Sequence, residues 1–285
     1  MSGTIARIGV VGAGQMGGGI AQIMAQAGIV VQLMDTTLAQ AQHGKQRITA
    51  QLDRLVEKGK LAADERTAII NRIVPVSAYR DLADVDFVVE AASESLAVKQ
   101  QIFTDLDRAC RPGVILASNT SSISITALSS RTRRPDRVIG VHFMNPVPLM
   151  KLVELIRGLP TSDETYDVAR GLVERLGKQT VVSRDIPGFI VNRVLMPLCN
   201  EACFTFYENI GTIEDIDRAI TLGLNHPMGP FALMDLIGLD TTLAILEVMH
   251  RELGESKYRP CPLLRQYVAA GWLGRKSGRG FYTYS

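Results

Sequence analysis

The sequence predicts an α/β fold, a doubly wound mostly parallel sheet followed by an all-α C-terminal domain, and three observations carry that expectation. Short apolar runs alternate with helix-forming segments over the first two thirds of the chain. A glycine-rich turn, Gly12-Ala13-Gly14-Gln15-Met16-Gly17, joins the first apolar run to the first helical segment. Strand signals stop after Asp185-Ile186-Pro187-Gly188, and long helical patterns take over. At 285 residues the chain exceeds what one small core serves, so two domains are expected, 1–185 and 186–285.

Taken in order, residues 5–11 read as a strand ending in glycines, 20–27 as a helix stopped by Gly28, and 29–34 as a second strand. Strand, helix and strand in this span make a βαβ unit, with parallel strands joined by a right-handed crossover. Residues 38–58 and 64–72 read as helices. Residues 86–90 and 113–117 read as buried strands separated by a helix over 96–110, and 138–141 and 152–156 as two further strands. Beyond the boundary, helices are expected over 189–208, 213–222, 231–253 and 262–270, interrupted by Asn225-His226-Pro227-Met228-Gly229-Pro230.

Residues 8–34 carry no Asp, Glu, Lys or Arg, a length that could span a bilayer at about 20 residues. That run holds seven glycines and four glutamines, so it reads as a strand-turn-helix-strand, with no signal or anchor. Lys plus Arg number 31 against 29 Asp plus Glu, and a net charge of +2 is too balanced to advertise nucleic acid or an acidic membrane surface as partner. Hydrophobic residues at 46% supply apolar material for two cores and leave no compositional case for disorder. Cys110, Cys199, Cys203 and Cys261 are sparse and irregular, which fits a reducing, cytoplasmic setting and small buried hydrophobes. With no CxxC and four histidines, no metal site is expected.

The turn from Gly12 to Gly17 is GxGxxG, placed directly after a strand and opening a helix, the Rossmann-type arrangement. Gly12 permits the tight turn, Gly14 lets backbone approach a pyrophosphate, and Gly17 allows close packing of helix on strand. Gln15 and Met16 complete the turn at the helix N-terminus, which faces the phosphates. Asp35, eighteen residues past Gly17, stands where an acid accepts hydrogen bonds from the adenosine ribose. It would repel a 2′-phosphate, and Thr36 and Thr37 offer no cation to receive one, so NAD is favoured over NADP.

A nicotinamide cofactor implies hydride transfer, and the alcohol being oxidised must lose a proton to a nearby group. His142 is the candidate, following a predicted strand at the end of the sheet where ligands collect. A lone loop histidine is ordinarily a backbone-bonded one. Here Asn145-Pro146 follows it, and Glu154 comes within reach if the intervening segment turns back. A carboxylate bonded to one ring nitrogen fixes the tautomer and leaves the other nitrogen as the base.

These residues, with Ser118-Asn119-Thr120-Ser121-Ser122, His142-Phe143-Met144-Asn145-Pro146, Pro187-Gly188-Phe189-Ile190-Val191-Asn192-Arg193 and the closing stretch from Gly274 to Tyr282, closely resemble the 3-hydroxyacyl-CoA dehydrogenase family. The resemblance runs end to end and is nearest to the short bacterial members acting on 3-hydroxybutyryl-CoA. It implies His142 as general base, Glu154 as its orienting partner, and Ser121 and Asn192 as hydrogen-bonders to the substrate oxygen. It places Glu94, Lys99 and Asn119 along the cofactor and active-site cleft, although Glu94 and Lys99 alone would read as solvated helix charges. Arg47, Arg54 and Lys58 fall on one face of the helix expected over 38–58, with Lys60 just beyond it, and the resemblance puts the nucleotide of an acyl-CoA substrate near this helix, with Lys58 the binding candidate. Met144 stands where relatives often have Phe, a change of packing beside His142.

Two rival functions remain at this stage. Dehydrogenases with the same two-domain plan oxidise sugar acids or 3-hydroxy acids that lack CoA, some with a lysine base. Crystallin-like relatives retain nucleotide binding as structural proteins, against which the intact Ser121, His142, Glu154 and Asn192 speak. The helical domain carries more apolar residues than one side needs, among them Val194, Leu195, Met196, Leu198, Phe204, Phe206 and Tyr207, so a homodimer is expected through it.

Overall fold

A computed structural model describes residues 5–284, and the chain divides into one unit ending at Ile186 and another starting at Pro187. The first unit holds β1 (Arg7–Val11), α1 (Gln15–Gln26), β2 (Val30–Met34), α2 (Leu38–Glu57), α3 (Ala63–Asn71), β3 (Ile73–Val76), β4 (Phe87–Glu90), α4 (Leu96–Ala109), β5 (Ile115–Ser118), α5 (Ile125–Ser129), β6 (Val138–Phe143), β7 (Leu152–Arg157), α6 (Asp163–Arg175) and β8 (Gln179–Arg184). Its strands form one sheet in the order β3-β2-β1-β4-β5-β6-β7-β8. All neighbours run parallel except β6 and β7, which are antiparallel. The chain fills one side of β1 and then crosses to β4 on the other, so the carboxyl ends of β1 and β4 open a crevice at the switch of strand order.

The charge-free run over 8–34 is explained by burial. β1 and β2 are interior strands, and α1 is buried over Gly17 to Ala25 against them, with Ile20 and Met24 fully enclosed. Each such side chain contributes about 1.5–3 kcal/mol relative to exposure. Among the described residues, no helix is long and apolar enough to cross a membrane.

Several boundaries differ from those expected. α1 starts at Gln15 rather than at residue 20, because the glycines of the turn's second half are already helical and tightly packed. β3 was masked by Pro75, which an edge strand tolerates because one flank needs no ladder bonds. β8 is the opposite edge, and its mostly exposed Gln-Thr-Val-Val-Ser-Arg sequence hides a strand. α6 starts at Ser162, whose hydroxyl accepts from Thr165 N at 3.2 Å, a cap that the sequence reading passed over. His142 lies inside β6 rather than after it.

The second unit holds α7 (Val191–Tyr207), α8 (Ile213–Gly223), α9 (Pro230–Ile237), α10 (Leu239–Leu253) and α11 (Pro262–Ala269) around a core that includes Met196, Cys203, Phe231, Met234 and Leu246. The single helix expected over 231–253 is two, broken at Gly238, whose φ of +103° no L side chain adopts readily. Two buried carboxylates lock the end of this unit. Asp217 accepts from Phe231 N at 2.8 Å and Ala232 N at 3.0 Å, capping α9, and from Tyr282 Oη at 2.9 Å. Asp235 accepts from Phe281 N and Tyr282 N, each at 2.9 Å, and a Cβ on Gly280 would overlap its carboxylate. Those bonds give the Gly-Arg-Gly-Phe-Tyr stretch a structural reason for its glycine.

Candidate active site

The glycine turn is built from three different constraints. Gly12 has φ of +100°, and a Cβ there would meet Ala91 O at 2.6 Å. A Cβ on Gly17 would overlap the Gly12 carbonyl oxygen, so the helix can pack on the turn only without one. A Cβ on Gly14 would meet nothing within 4 Å, leaving its backbone open to the crevice. Asp35 Oδ2 accepts from Ala13 N at 2.7 Å and Oδ1 from Thr36 N at 2.7 Å, which ties the turn to the end of β2. A cavity of roughly 710 Å³ is lined by Gly12, Gly14, Asp35, Thr36, Tyr79 and Ala92, among others. Open backbone at a helix N-terminus, an acid beside it and a largely apolar slot fit the phosphates, ribose and adenine of NAD.

The candidate chemistry lies further along the same row of strand ends. In the antiparallel pairing of β6 and β7, His142 is directly opposite Glu154, so their side chains share one face of the sheet. His142 Nδ1 is 2.7 Å from Glu154 Oε2, with the carboxyl fully buried and the ring nearly so. An ionised carboxylate only accepts, so Nδ1 carries the hydrogen and Nε2 presents a lone pair. Ser121 Oγ lies 3.2 Å from that Nε2. Two residues before His142, Gly140 makes room for Ile156 and for α5, because a Cβ there would come within 2.8 Å of Ile156 Cβ and 2.9 Å of Ile125 Cδ1.

The Ser121 loop is held from below by Glu94. One of its oxygens, Oε1, accepts from Thr120 Oγ1 at 2.5 Å, Ser121 N at 2.9 Å and Ser122 N at 3.2 Å. Asn119 Oδ1 accepts from Phe143 N at 2.9 Å, joining the end of β5 to the residue after His142. Gln15 Nε2 donates to Asn145 Oδ1 at 3.2 Å, so the glycine turn also touches the loop after β6. Met16 is half-buried in the first turn of α1. Lys99 is fully buried, and its ammonium meets Glu90 Oε1 at 2.7 Å and Oε2 at 2.8 Å, with Glu94 Oε2 at 3.6 Å.

The remaining expected residues lie on other elements. Arg47 is engaged, its Nη2 donating to Ala13 O at 2.5 Å. Lys58 is the residue that ends α2 rather than a member of its face, and Arg54, Lys58 and Lys60 are exposed. Asn192 belongs to the helical unit, at the second position of α7, and is buried there. Sequence reasoning missed Glu90 and Lys178. Glu90 closes an otherwise apolar buried strand, which was itself a signal. Lys178 Nζ donates to Val147 O at 2.7 Å and Met150 O at 2.6 Å, pinning the loop that follows His142, and burial lowers its pKa.

The fold and this row of strand ends define a dinucleotide-dependent dehydrogenase. The chain belongs to the 3-hydroxyacyl-CoA dehydrogenase family: its NAD binding domain matches over residues 7–186 and its C-terminal domain over residues 188–284. A probable 3-hydroxybutyryl-CoA dehydrogenase of Bacillus subtilis (strain 168) is 55% identical over 280 residues, 98% of each chain. The 3-hydroxybutyryl-CoA dehydrogenase of Bradyrhizobium diazoefficiens is 52% identical over 284 residues, 100% of this chain and 97% of that one. Among solved structures, (S)-3-hydroxybutyryl-CoA dehydrogenase from Ralstonia eutropha superposes with a TM-score of 0.95 at 48% identity, covering 99% of this chain and 100% of that one.

Proposed function

We propose that this protein interconverts (S)-3-hydroxyacyl-CoA and 3-oxoacyl-CoA, with short-chain 3-hydroxybutyryl-CoA as substrate. The observation that carries the reading is the His142–Glu154 pair, its second ring nitrogen 3.2 Å from Ser121 Oγ in the row of strand ends that begins at the glycine turn. Bound NAD supplies the hydride acceptor. Gly12, Gly14, Gln15, Met16 and Gly17 would hold its phosphates and Asp35 its ribose, with Glu94 and Asn119 framing the cleft and Lys99 buried against Glu90.

In the oxidative direction His142 Nε2 takes the proton of the 3-hydroxyl as the C3–H bond gives up its hydride, and the oxygen becomes a carbonyl. Glu154 keeps the ring in the tautomer that can do this and stabilises the imidazolium once formed. Ser121 donates to the substrate oxygen. Asn192 is assigned to the same oxygen on the strength of the family pattern. Lys58 is assigned to the phosphates of CoA, supported by its exposure at the end of α2.

The names of the relatives support the thioester over a free hydroxy acid or sugar acid, and the assembled His142, Glu154 and Ser121 support an enzyme over a crystallin-like structural protein. A cytoplasmic homodimer completes the reading. Exposed Val194 and Tyr207 on α7, and a cavity of roughly 500 Å³ lined by Leu198, Ala202, Ile210, Ile216 and Ile220, support a second copy packed on the helical unit. The deciding assay follows NADH absorbance with acetoacetyl-CoA: rapid loss supports the reading. No loss with this substrate, but turnover of a free 3-hydroxy acid or of nothing, selects a rival.

A further inference from the structure

We propose that Glu90 is a positioning residue for the reaction, acting through buried Lys99 to hold the loop that presents Ser121 to His142. Glu90 and Lys99 are both 0% exposed, and an ion pair taken wholly out of water seldom stabilises more than an apolar pair of the same volume. What the pair supplies that an apolar one cannot is direction. Glu90 Oε1 accepts from Ala92 N at 2.7 Å, and Oε2 accepts from Ser118 Oγ at 2.6 Å. Its backbone oxygen accepts from Asn119 N at 2.7 Å. One residue therefore grips the ends of both β4 and β5.

The grip is passed on in two directions. From β4, Lys99 Nζ reaches Ala92 O at 3.5 Å and Glu94 Oε2 at 3.6 Å, and Glu94 Oε1 in turn receives the amides of Ser121 and Ser122. From β5, Asn119 begins the serine loop and bonds to Phe143 N, next to His142. Ser121 Oγ and His142 Nε2 are thus set by a polar network whose centre lies below the cleft and touches neither. Lys99, expected beside the cofactor, turns its ammonium away from solvent into this network.

This inference rests on the proposed dehydrogenase activity, so its test carries one readout that does not need that activity. Glu90→Gln/Lys99→Met removes both charges together and leaves no lone buried ion. Hydrogen exchange of the free protein is measured at the Ser121 and Ser122 amides, which should exchange about tenfold faster or more in the variant, with α10 unchanged. For acetoacetyl-CoA reduction, kcat should fall about tenfold or more with KM for NADH within about twofold, and adding Ser121→Ala should cost under about threefold further. Unchanged exchange at Ser121 and Ser122 overturns the proposal. So does a raised KM for NADH at full kcat, which would return Lys99 to direct cofactor binding, or losses that simply multiply with Ser121→Ala. A wild type inert toward the thioester overturns the activity alone, and the exchange arm still decides the positioning. Should the double variant fail to fold, Ser118→Ala keeps both charges and removes one bond to Glu90. Faster exchange at Ser121 is expected there, and an unchanged rate overturns the proposal.

Discussion

Ser121 Oγ lies 3.2 Å from His142 Nε2, although the two residues come from the ends of adjacent strands and are separated by α5. With Nδ1–H committed to Glu154, the serine hydroxyl donates to Nε2. On the proposed mechanism a substrate hydroxyl takes that place, after which Ser121 rotates to donate to the substrate oxygen, so the free protein already holds the proposed base hydrogen-bonded in the geometry the mechanism needs.

Asp35 should govern cofactor choice more than chemistry. Its carboxylate lies at the end of β2 and already accepts from Ala13 N and Thr36 N, so its loss removes the proposed ribose contact and loosens the glycine turn together. Asp35→Ala should raise KM for NAD by about 10- to 100-fold with a smaller change in kcat, the scale of a charged hydrogen bond. Thr36→Arg in that background should bring NADP within range. Steady-state kinetics with both cofactors decides this, and a wild type that prefers NADPH contradicts it.

The cysteines should be chemically silent in the folded protein. All four are buried and unpaired, and burial pushes Cys110 up to about 11, Cys199 up to about 12 and Cys203 well above its ordinary value, while Cys261 is also raised. Thiolate is the reactive form, so a disulfide reagent at pH 8 should label native protein slowly and release four equivalents only in denaturant. Rapid native labelling would contradict the burial of these side chains.

Acid should weaken the first unit through Asp107. Burial alone would raise its pKa, but hydrogen bonds from Arg133 and Arg134, the latter also nearly buried, outweigh that and hold the carboxyl below its usual range. A folded-state value below the unfolded one adds stability that is fully present above the unfolded pKa. It is lost as pH falls through the lower, folded value. Asp107→Asn should lower Tm at neutral pH and flatten its fall as pH drops below about 4, the ordinary carboxylate value, measured by thermal melts across the acid range.

Legibility in the sequence followed burial. β1, β2, β4, β5 and β6 are interior strands with continuous apolar runs, and each was readable. The two edges, β3 with Pro75 and β8 with its exposed polar face, were not, because an edge strand needs neither an apolar face on both sides nor a full ladder. At the site, the glycine turn and Asp35 followed from local spacing, whereas the His142–Glu154 pairing depends on an antiparallel register that twelve residues of separation leave open. Glu90 was passed over for another reason. A carboxylate ending an apolar strand looks like a polar strand end until its buried partner is seen on α4.

The apolar surface of the helical unit should bring two copies together. Val194 on α7 and Leu222 on α8 are 68% and 78% exposed, apolar side chains that a second copy would cover. Light scattering at micromolar concentration should give twice 31.1 kDa, and Val194→Glu should shift the mass toward the monomer. A monomeric wild type removes the dimer from the reading.

His142 and Glu154 offer the sharpest test, because one can do nothing without the other. A general base contributes about 10²- to 10⁴-fold, so His142→Gln should cut kcat for 3-hydroxybutyryl-CoA oxidation by that order while NAD affinity barely changes. Glu154→Gln should also cost substantially, since the amide can face Nδ1 with its NH2 and reverse the tautomer, turning N–H rather than the lone pair toward substrate. The double variant should lose much less than the product of the two single losses, for an orienting carboxylate has little left to do once its imidazole is gone. The direction of the pH dependence is fixed by the same chemistry. Alcohol oxidation requires neutral His142, so its rate should fall as acid protonates the ring; ketone reduction requires the protonated ring, so its rate should fall as base removes that proton. Near wild-type turnover by a folded His142→Gln, or one pH trend shared by both directions, would place the base on another residue.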